Sequence, residues 1–370
     1  PIEAYVHRHF TKLAKQKLSQ MPDLTVIAIT GSYGKTSTKF MIRDLLSERY
    51  AVCSTPGSYN TPMGICKVIN NDLEARHQIL VLEMGARYEG NIDELCDIAE
   101  PDISVVTNVG VAHLETFGSQ DAIARTKSTI VKRTKENGKA VLNADDERVA
   151  AMANGRDDLE VTFVGFESGD IRAKNIQYGP EGMTFTVSAN EEEQEFSMQL
   201  LGSHNAQNML LAVGVARSLG LRLTTMAMAA SRMEPVEHRL ELKSQNGITV
   251  IDDAFNSNPV GAKNAVETLA AFSNGRKIII TPGMIELGDI QEEKNREFGV
   301  QIGQAGLDMV ILVGENQTQA IKKGIASTGF EMENVKTVSS LYEANRAMQE
   351  YAQDGDVVLY ENDLPDSFNE

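Results

Sequence analysis

The sequence predicts an α/β protein of two successive domains, each a mostly parallel sheet covered by helices. Three observations predict it. Short β-branched apolar runs recur along the chain, and amphipathic helical stretches separate most of them, the pattern of strands buried on both faces. The alternation breaks once, in 171–200, where period-two patterning marks a hairpin, and it resumes beyond residue 235 with a new set of strands. The length of 370 residues leaves room for two or three domains, at roughly 150 residues each.

Residues 3–20 read as a leading amphipathic helix that stops before Met21-Pro22. Leu24–Thr30 is a buried strand, followed by a Gly-containing loop and a helix from about Thr36 to Tyr50. Further strands are expected at Ile79–Glu83, Ile103–Asn108, Ala140–Asn143 and Val161–Gly165, with helices at 91–99, 120–136 and 145–153. Residues 183–187 and 195–200 alternate around the polar stretch Asn190–Gln194, which makes them an inserted antiparallel hairpin. Helices then run over 205–219 and 222–232, and 233–242 is a connection. Strands at Ile248–Ile251, Lys277–Thr281, Met309–Val313 and Val357–Tyr360, with helices at 259–272, 289–304, 315–327 and 340–352, build a C-terminal Rossmann-like α/β domain. The expected division is a leading helix, 1–22, a central domain, 23–234, and the C-terminal domain, 235–370.

Composition narrows the function. Lys and Arg number 35 against 52 Asp and Glu, a net charge of -17. A field of that sign argues against nucleic acid or an anionic membrane as a broad partner. Three cysteines without a CxxC pair argue against a disulfide framework or a zinc ribbon and for a reducing, cytoplasmic setting. No run of 18 apolar residues and no signal peptide is visible.

The strongest local signal is Thr30-Gly31-Ser32-Tyr33-Gly34-Lys35-Thr36-Ser37, directly after a strand and opening a helix. Glycines let the backbone approach phosphates, the helix N-terminus offers free N–H groups, Lys35 reaches the β- and γ-phosphates, and the Thr36 hydroxyl binds Mg²⁺. This makes the central domain a P-loop ATPase. The loop is shorter than the common Walker form, which would place a glycine where Ile29 stands.

With the segments that follow, the loop resembles that of the Mur ligases, the ATP-dependent amide-bond ligases that build peptidoglycan precursors. The ordered segments are Glu83-Met84-Gly85, Thr107-Asn108, Ala112-His113-Leu114-Glu115, Lys127, Leu142-Asn143-Ala144-Asp145, Gly202 to Asn208, His238-Arg239 and Asp252 to Pro259. Within the family the set is most like the member that adds a dipeptide to the muramoyl tripeptide. The resemblance covers about residues 24–360 and implies ATP and Mg²⁺ as cofactors. It implies that Gly31, Ser32, Gly34, Lys35, Thr36 and Ser37 hold the phosphates and that Glu83 and His113 bind magnesium. Lys127 matches the lysine carbamylated in the family, Asn205 and Asn208 the adenine-contacting amides, Arg239 an arginine near the phosphates, and Asp253 the acid that grips the ribose. Asn60 and Thr61 resemble the part that meets the acyl acceptor, and Asn256 and Asn258 lie in the motif of the second domain assigned to substrate. The implied reaction makes an acyl phosphate from a peptide carboxylate, which the amine of an amino acid or dipeptide then attacks.

Taken singly, each residue has a duller reading: Glu83 as a strand-end cap, His113 as a core or surface histidine, Lys127 as a solvated lysine, Asn205 and Asn208 as a cap and a surface amide, and Asp252-Asp253 as a turn. Their joint order carries the functional reading. The chain departs from the family at Phe255 and Gly261, and Glu361-Asn362-Asp363 stands where a Lys-Gly-Ser element is usual, so an altered amine pocket is expected. With the loop starting at Gly31, the family's UDP-holding N-terminal domain is expected to be missing. A lipid-linked acceptor, with a membrane tether upstream of Pro1, is then an alternative to a UDP-linked one. The remaining alternatives are a family ligase with a non-wall substrate (poly-glutamate, folate or a tetrapyrrole amide) and a nucleotide-binding scaffold without ligase chemistry. Intact Lys35, Glu83, His113 and Lys127 argue against the scaffold.

Overall fold

The computed structural model describes residues 2–110, 114–179, 181–234, 240–253, 259–285 and 287–362. The chain divides into two compact units, one of Pro1–Asn175, Phe185–Phe196 and His204–Arg232, the other of Ile176–Thr184, Ser197–Ser203 and Met233–Glu370.

The first sheet takes its strands from a run that begins α1 (Ile2–Ser19), β1 (Thr25–Thr30), α2 (Lys35–Leu46), β2 (Val52–Ser54), α3 (Pro62–Asn71), β3 (Ile79–Glu83) and α4 (Asn91–Ile98). It continues with β4 (Ile103–Val106), α5 (Leu114–Phe117), α6 (Gln120–Lys132), β5 (Lys139–Asn143), α7 (Glu147–Ala150) and β6 (Glu160–Gly165). The last part is β7 (Ile171–Gly179), β8 (Gly182–Ala189), β9 (Glu192–Met198), α8 (Ser203–Ser218) and α9 (Leu223–Ala230). The strand order is β2-β3-β1-β4-β5-β6-β7-β8-β9, with β1 to β6 parallel throughout. Helices on both faces explain why β1, β3 and β4 read as unbroken apolar runs: nearly every residue in them is buried. Ala28, Leu80, Leu82 and Val106 meet Ile65 and Ile69 of α3, Ile123 and Ile130 of α6 and Leu95 of α4 in one core. The expected hairpin is a ribbon of three strands, and Asn190, in the left-handed region at φ 55°, makes the link between β8 and β9.

The second sheet uses β10 (Glu241–Gln245), β11 (Ile248–Asp253), α10 (Pro259–Ala270), β12 (Lys277–Thr281), α11 (Gln291–Gln304), β13 (Met309–Val313), α12 (Gln319–Ala326), β14 (Val335–Val338), α13 (Leu341–Tyr351) and β15 (Val357–Glu361). Its order is β10-β11-β15-β12-β13-β14, antiparallel only between β10 and β11. The last strand thus lies between β11 and β12, where Asp356, 4% exposed, accepts from the Arg276 guanidinium at 2.7 Å and fixes the start of β12.

The α/β class is borne out. Six elements escape the sequence pattern: β2, α3, α5, β7, β10 and β14. The helix expected to reach Tyr50 ends at Leu46 with Ser47 as its cap. The strand expected to end at Asn108 ends at Val106, because Thr107 and Asn108 turn their side chains to the Gly-containing loop. Cys53, Cys66 and Cys96 are free and buried. No helix among the described residues is long and apolar enough to cross a membrane.

Candidate active site

The site is built in the first unit, at the carboxyl ends of β1, β3 and β4. Between β1 and α2 the chain runs Gly31-Ser32-Tyr33-Gly34, and two of these residues must be glycine. A Cβ on Gly31 would lie 1.8 Å from Thr107 Oγ1. Gly34 has φ 78°, and its Cβ would lie 2.4 Å from Asn208 Oδ1. The strand-end pair Thr107-Asn108 clamps the loop. The Thr107 hydroxyl donates to Tyr33 O at 2.6 Å, Tyr33 N donates to Asn108 Oδ1 at 3.0 Å, and Ser32 N donates to Asn108 O at 3.0 Å. The loop is thereby held open ahead of the N-terminus of α2, where unpaired N–H groups and the helix dipole favour an anion.

Two lysines converge on one carbonyl of this loop. Lys35 Nζ donates to Gly31 O at 2.9 Å and to Ser32 O at 3.3 Å. Lys127, carried on α6 and 5% exposed, donates to the same Gly31 O at 2.9 Å. Burial, and then the neighbouring Lys35 charge, pull the Lys127 ammonium down to about 7. Burial also lowers Lys35, against the pull of Glu83.

Glu83, the last residue of β3, is the hub. Its Oε2 accepts from the Thr36 hydroxyl at 2.8 Å and lies 3.5 Å from Lys39 Nζ; its Oε1 accepts from Asn60 Nδ2 at 2.9 Å. The side chains of Glu83 and Lys39 are both buried. Among the described residues, no three His, Cys, Asp or Glu side chains gather as a metal cage. Thr36 and Glu83 nevertheless fit Mg²⁺. They are adjacent hard oxygen donors of the kind that binds this ion with one carboxylate, waters and phosphate oxygens.

The remaining expected residues fall as follows. Asn205 and Asn208 are buried in the first turns of α8; Asn208 Nδ2 donates to Asn205 Oδ1 at 3.4 Å, and its own Oδ1 accepts from Thr38 at 3.2 Å. Ser37 lies in the first turn of α2. Thr61 caps α3, its hydroxyl accepting from Gly64 N at 3.3 Å. Asp253 ends β11 in the second unit, where its Oδ1 accepts from Leu240 N at 3.1 Å. His113, Arg239, Asn256 and Asn258 lie outside the described residues. The structure therefore brings together Gly31 to Thr36, Asn60, Glu83, Lys127 and Asn208. It adds residues to which sequence reasoning gave no role: Thr107 and Asn108 as the clamp, Thr38 on Asn208, and Lys39 on Glu83. A lysine three residues after Thr36 shares its helix face, and that spacing was the one available signal for Lys39.

Comparison with known proteins identifies the family. Residues 29–216 match the Mur ligase middle domain, and residues 238–360 match the Mur ligase, glutamate ligase domain. The chain is 31% identical over 351 residues to the UDP-N-acetylmuramoyl-tripeptide--D-alanyl-D-alanine ligase of Bacillus subtilis, covering 94% of this chain and 75% of that protein. It is 34% identical over 303 residues to the enzyme of the same name from Mycobacterium tuberculosis, of which it spans 59%. Among solved structures, MurF from Thermotoga maritima in complex with ADP superposes with a TM-score of 0.80 at 29% identity, over 96% of this chain and 80% of that one. MurF from Acinetobacter baumannii also gives 0.80, at 26% identity, over 96% of this chain and 77% of that one.

Proposed function

The chain belongs to the Mur ligase family of ATP-dependent amide-bond ligases, and from that premise we propose its substrates: a muramoyl tripeptide as the carboxylate and D-alanyl-D-alanine as the amine. The observation that carries the reading is the meeting of Lys35 and Lys127 on the Gly31 carbonyl, beside the Thr36–Glu83 pair. In this reading residues 23–234 are the ATP-binding domain, behind the leading helix 1–22, and residues 235–370 hold the incoming amine.

A carboxylate does not surrender oxide to an amine, so the acceptor must first be activated. Its carboxylate oxygen attacks the γ-phosphorus of ATP and the bond to ADP breaks, which leaves an acyl phosphate. The amine nitrogen then attacks the carbonyl carbon. The C–O bond breaks, phosphate departs with the former carboxylate oxygen, and the nitrogen gives up a proton. The open loop and the N-terminus of α2 cradle the phosphates. Lys35 exchanges its hold on the Gly31 and Ser32 carbonyls for the β- and γ-phosphate oxygens, where charge builds in the transition state. Thr36 and Glu83 would hold Mg²⁺, which offsets the charge on the transferring phosphoryl group. Lys127 with a pKa of about 7 is half neutral at that pH, and a neutral amine is the form that adds CO₂. The resulting carbamate would present an anionic oxygen where an ammonium repels a cation. Asn60, which donates to Glu83 Oε1, would bring the loop that meets the acceptor to this end of the site, and Asn205 and Asn208 would meet the base of the nucleotide.

The test is ADP formation with UDP-linked and lipid-linked muramoyl tripeptides, each with and without D-alanyl-D-alanine. ADP release that needs both peptide and dipeptide supports the reading, and the productive arm names the carrier. ATP binding with no amine-dependent turnover on either carrier would overturn it and favour a nucleotide-binding scaffold.

A further inference from the structure

We propose that Lys39 is a positioning residue that couples the metal end of the site to the acceptor loop; the inference rests on the ligase reading above. Lys39 is among the largest fully buried side chains of the chain, at 0% exposure. An ammonium is kept out of water only where strong acceptors surround it. Lys39 has two, and they belong to different parts of the site. One is Glu83 Oε2 at 3.5 Å, the oxygen that also accepts from Thr36. The other is the carbonyl of Gly57.

Gly57 opens the segment 57–61 between β2 and α3, and this segment is the acceptor loop. Its backbone stands at φ 47°, in a turn that Tyr59 N closes on Pro56 O at 3.2 Å, and Lys39 ties this turn to α2. The other end is tied to the same hub: Asn60 Nδ2 donates to Glu83 Oε1 at 2.9 Å and Asn60 O accepts from Gly85 N at 3.0 Å. Ser58, Tyr59, Asn60 and Thr61 line a groove of about 560 Å³ together with Phe10 and Met63.

The arrangement makes a lever. Glu83 Oε2 is shared by Thr36 and Lys39, and a divalent cation bound at Thr36 and Glu83 competes with Lys39 for the same negative charge. With that charge drawn away, the Gly57 carbonyl, which the ammonium already holds, becomes its dominant partner, and the loop end is pinned to α2. An occupied metal site therefore sets the groove wall for the acceptor. A merely structural ion pair would behave otherwise, since its removal would weaken everything nearby. Removing Lys39 here should tighten the metal while loosening the acceptor.

The chain contains no tryptophan, so Tyr59→Trp, at a position 42% exposed on the loop, gives a single fluorophore there. In that background, ADP with Mg²⁺ should shift the emission, and ADP with EDTA should not. Adding Lys39→Met should leave ADP bound, lower the Mg²⁺ concentration for half-saturation about 5-fold, at the low end of ordinary site coupling, and abolish the emission shift. The KM for the acceptor should rise with kcat less affected. Hydrogen exchange on the unmodified chain is the second measurement, needed if Lys39→Met does not fold. Amides of 57–60 should gain protection with Mg²⁺ and ADP and gain none with ADP alone. A shift that survives Lys39→Met, a weaker Mg²⁺ site in that variant, or exchange in 57–60 indifferent to Mg²⁺ would overturn the proposal. Failure of the unmodified chain to bind ADP at all would instead overturn the nucleotide site itself.

Discussion

Lys127 reports the electrostatics of the site through the pH dependence of folding. Burial and the Lys35 charge bring it to about 7 in the folded chain, against about 10.4 for a lysine in an unfolded one. Below pH 7 both states carry the proton, and the folded state bears the full cost of a buried charge. Between about pH 7 and pH 10 the unfolded chain binds more protons than the folded chain, so stability rises with pH across that window. Single-site linkage with these two values gives a gain of about 2 kcal/mol from pH 7 to pH 9. Lys127→Met keeps the apolar stem and removes the titrating group, so its stability should lack this gain. Urea unfolding followed by circular dichroism, in CO₂-depleted buffer without nucleotide, measures both proteins at pH 7, 8 and 9. The difference between their curves cancels the titrations that do not depend on Lys127. Parallel curves, separated by the same free energy to within about 0.5 kcal/mol at all three pH values, would refute the placement of Lys127 as a buried amine.

Other expected outcomes concern the loop and its support. Gly34→Ala forces a side chain into φ 78° and against Asn208; it should cost about 2 kcal/mol by urea midpoint, and ADP affinity measured by calorimetry should fall with it. Lys35→Ala should lower amine-dependent ADP formation by about 100-fold or more, since it removes the charge facing the transferring phosphoryl group; near-normal turnover would reject the phosphate-loop assignment. Asp102→Ala should destabilise by about 1–3 kcal/mol, because Asp102 Oδ2 is the acceptor for Val26 N at 2.8 Å where β1 begins. Its ion pair with Lys135 is partly exposed and adds little, so Lys135→Ala should leave the melting temperature nearly unchanged.

The fold was legible where burial is two-sided. β1, β3, β4, β12 and β13 are apolar because helices cover both faces, and such runs announce themselves. The strands that escaped are β2 with three residues, β10 as the largely exposed sequence ELKSQ and β14 with four, all at sheet ends, and β7, a longer strand in which only Ile171 and Ala173 are buried. Half-solvated edges impose no apolar pattern. α3 escaped although Thr61-Pro62 is an N-cap followed by a proline in the first turn, a recognised start signal. At the site, the phosphate loop was legible from residue types alone. The partnership of Thr36 with Glu83 was not, because it spans 47 residues and depends on β1 and β3 lying side by side. Lys39 was hard to read for the opposite reason: a lysine on a helix is normally solvated, and its spacing from Thr36 was a weak signal until burial singled it out.

In the proposed reaction the acceptor carboxylate is phosphorylated before the amine attacks. The most direct test labels both oxygens of that carboxylate with ¹⁸O and determines the isotope content of the phosphate released during amine-dependent turnover. An acyl phosphate intermediate predicts one ¹⁸O atom in each phosphate and one kept in the new amide. Phosphate free of ¹⁸O, formed at a rate indifferent to the amine, would mean that water rather than the acceptor takes the γ-phosphoryl group, and would contradict the account.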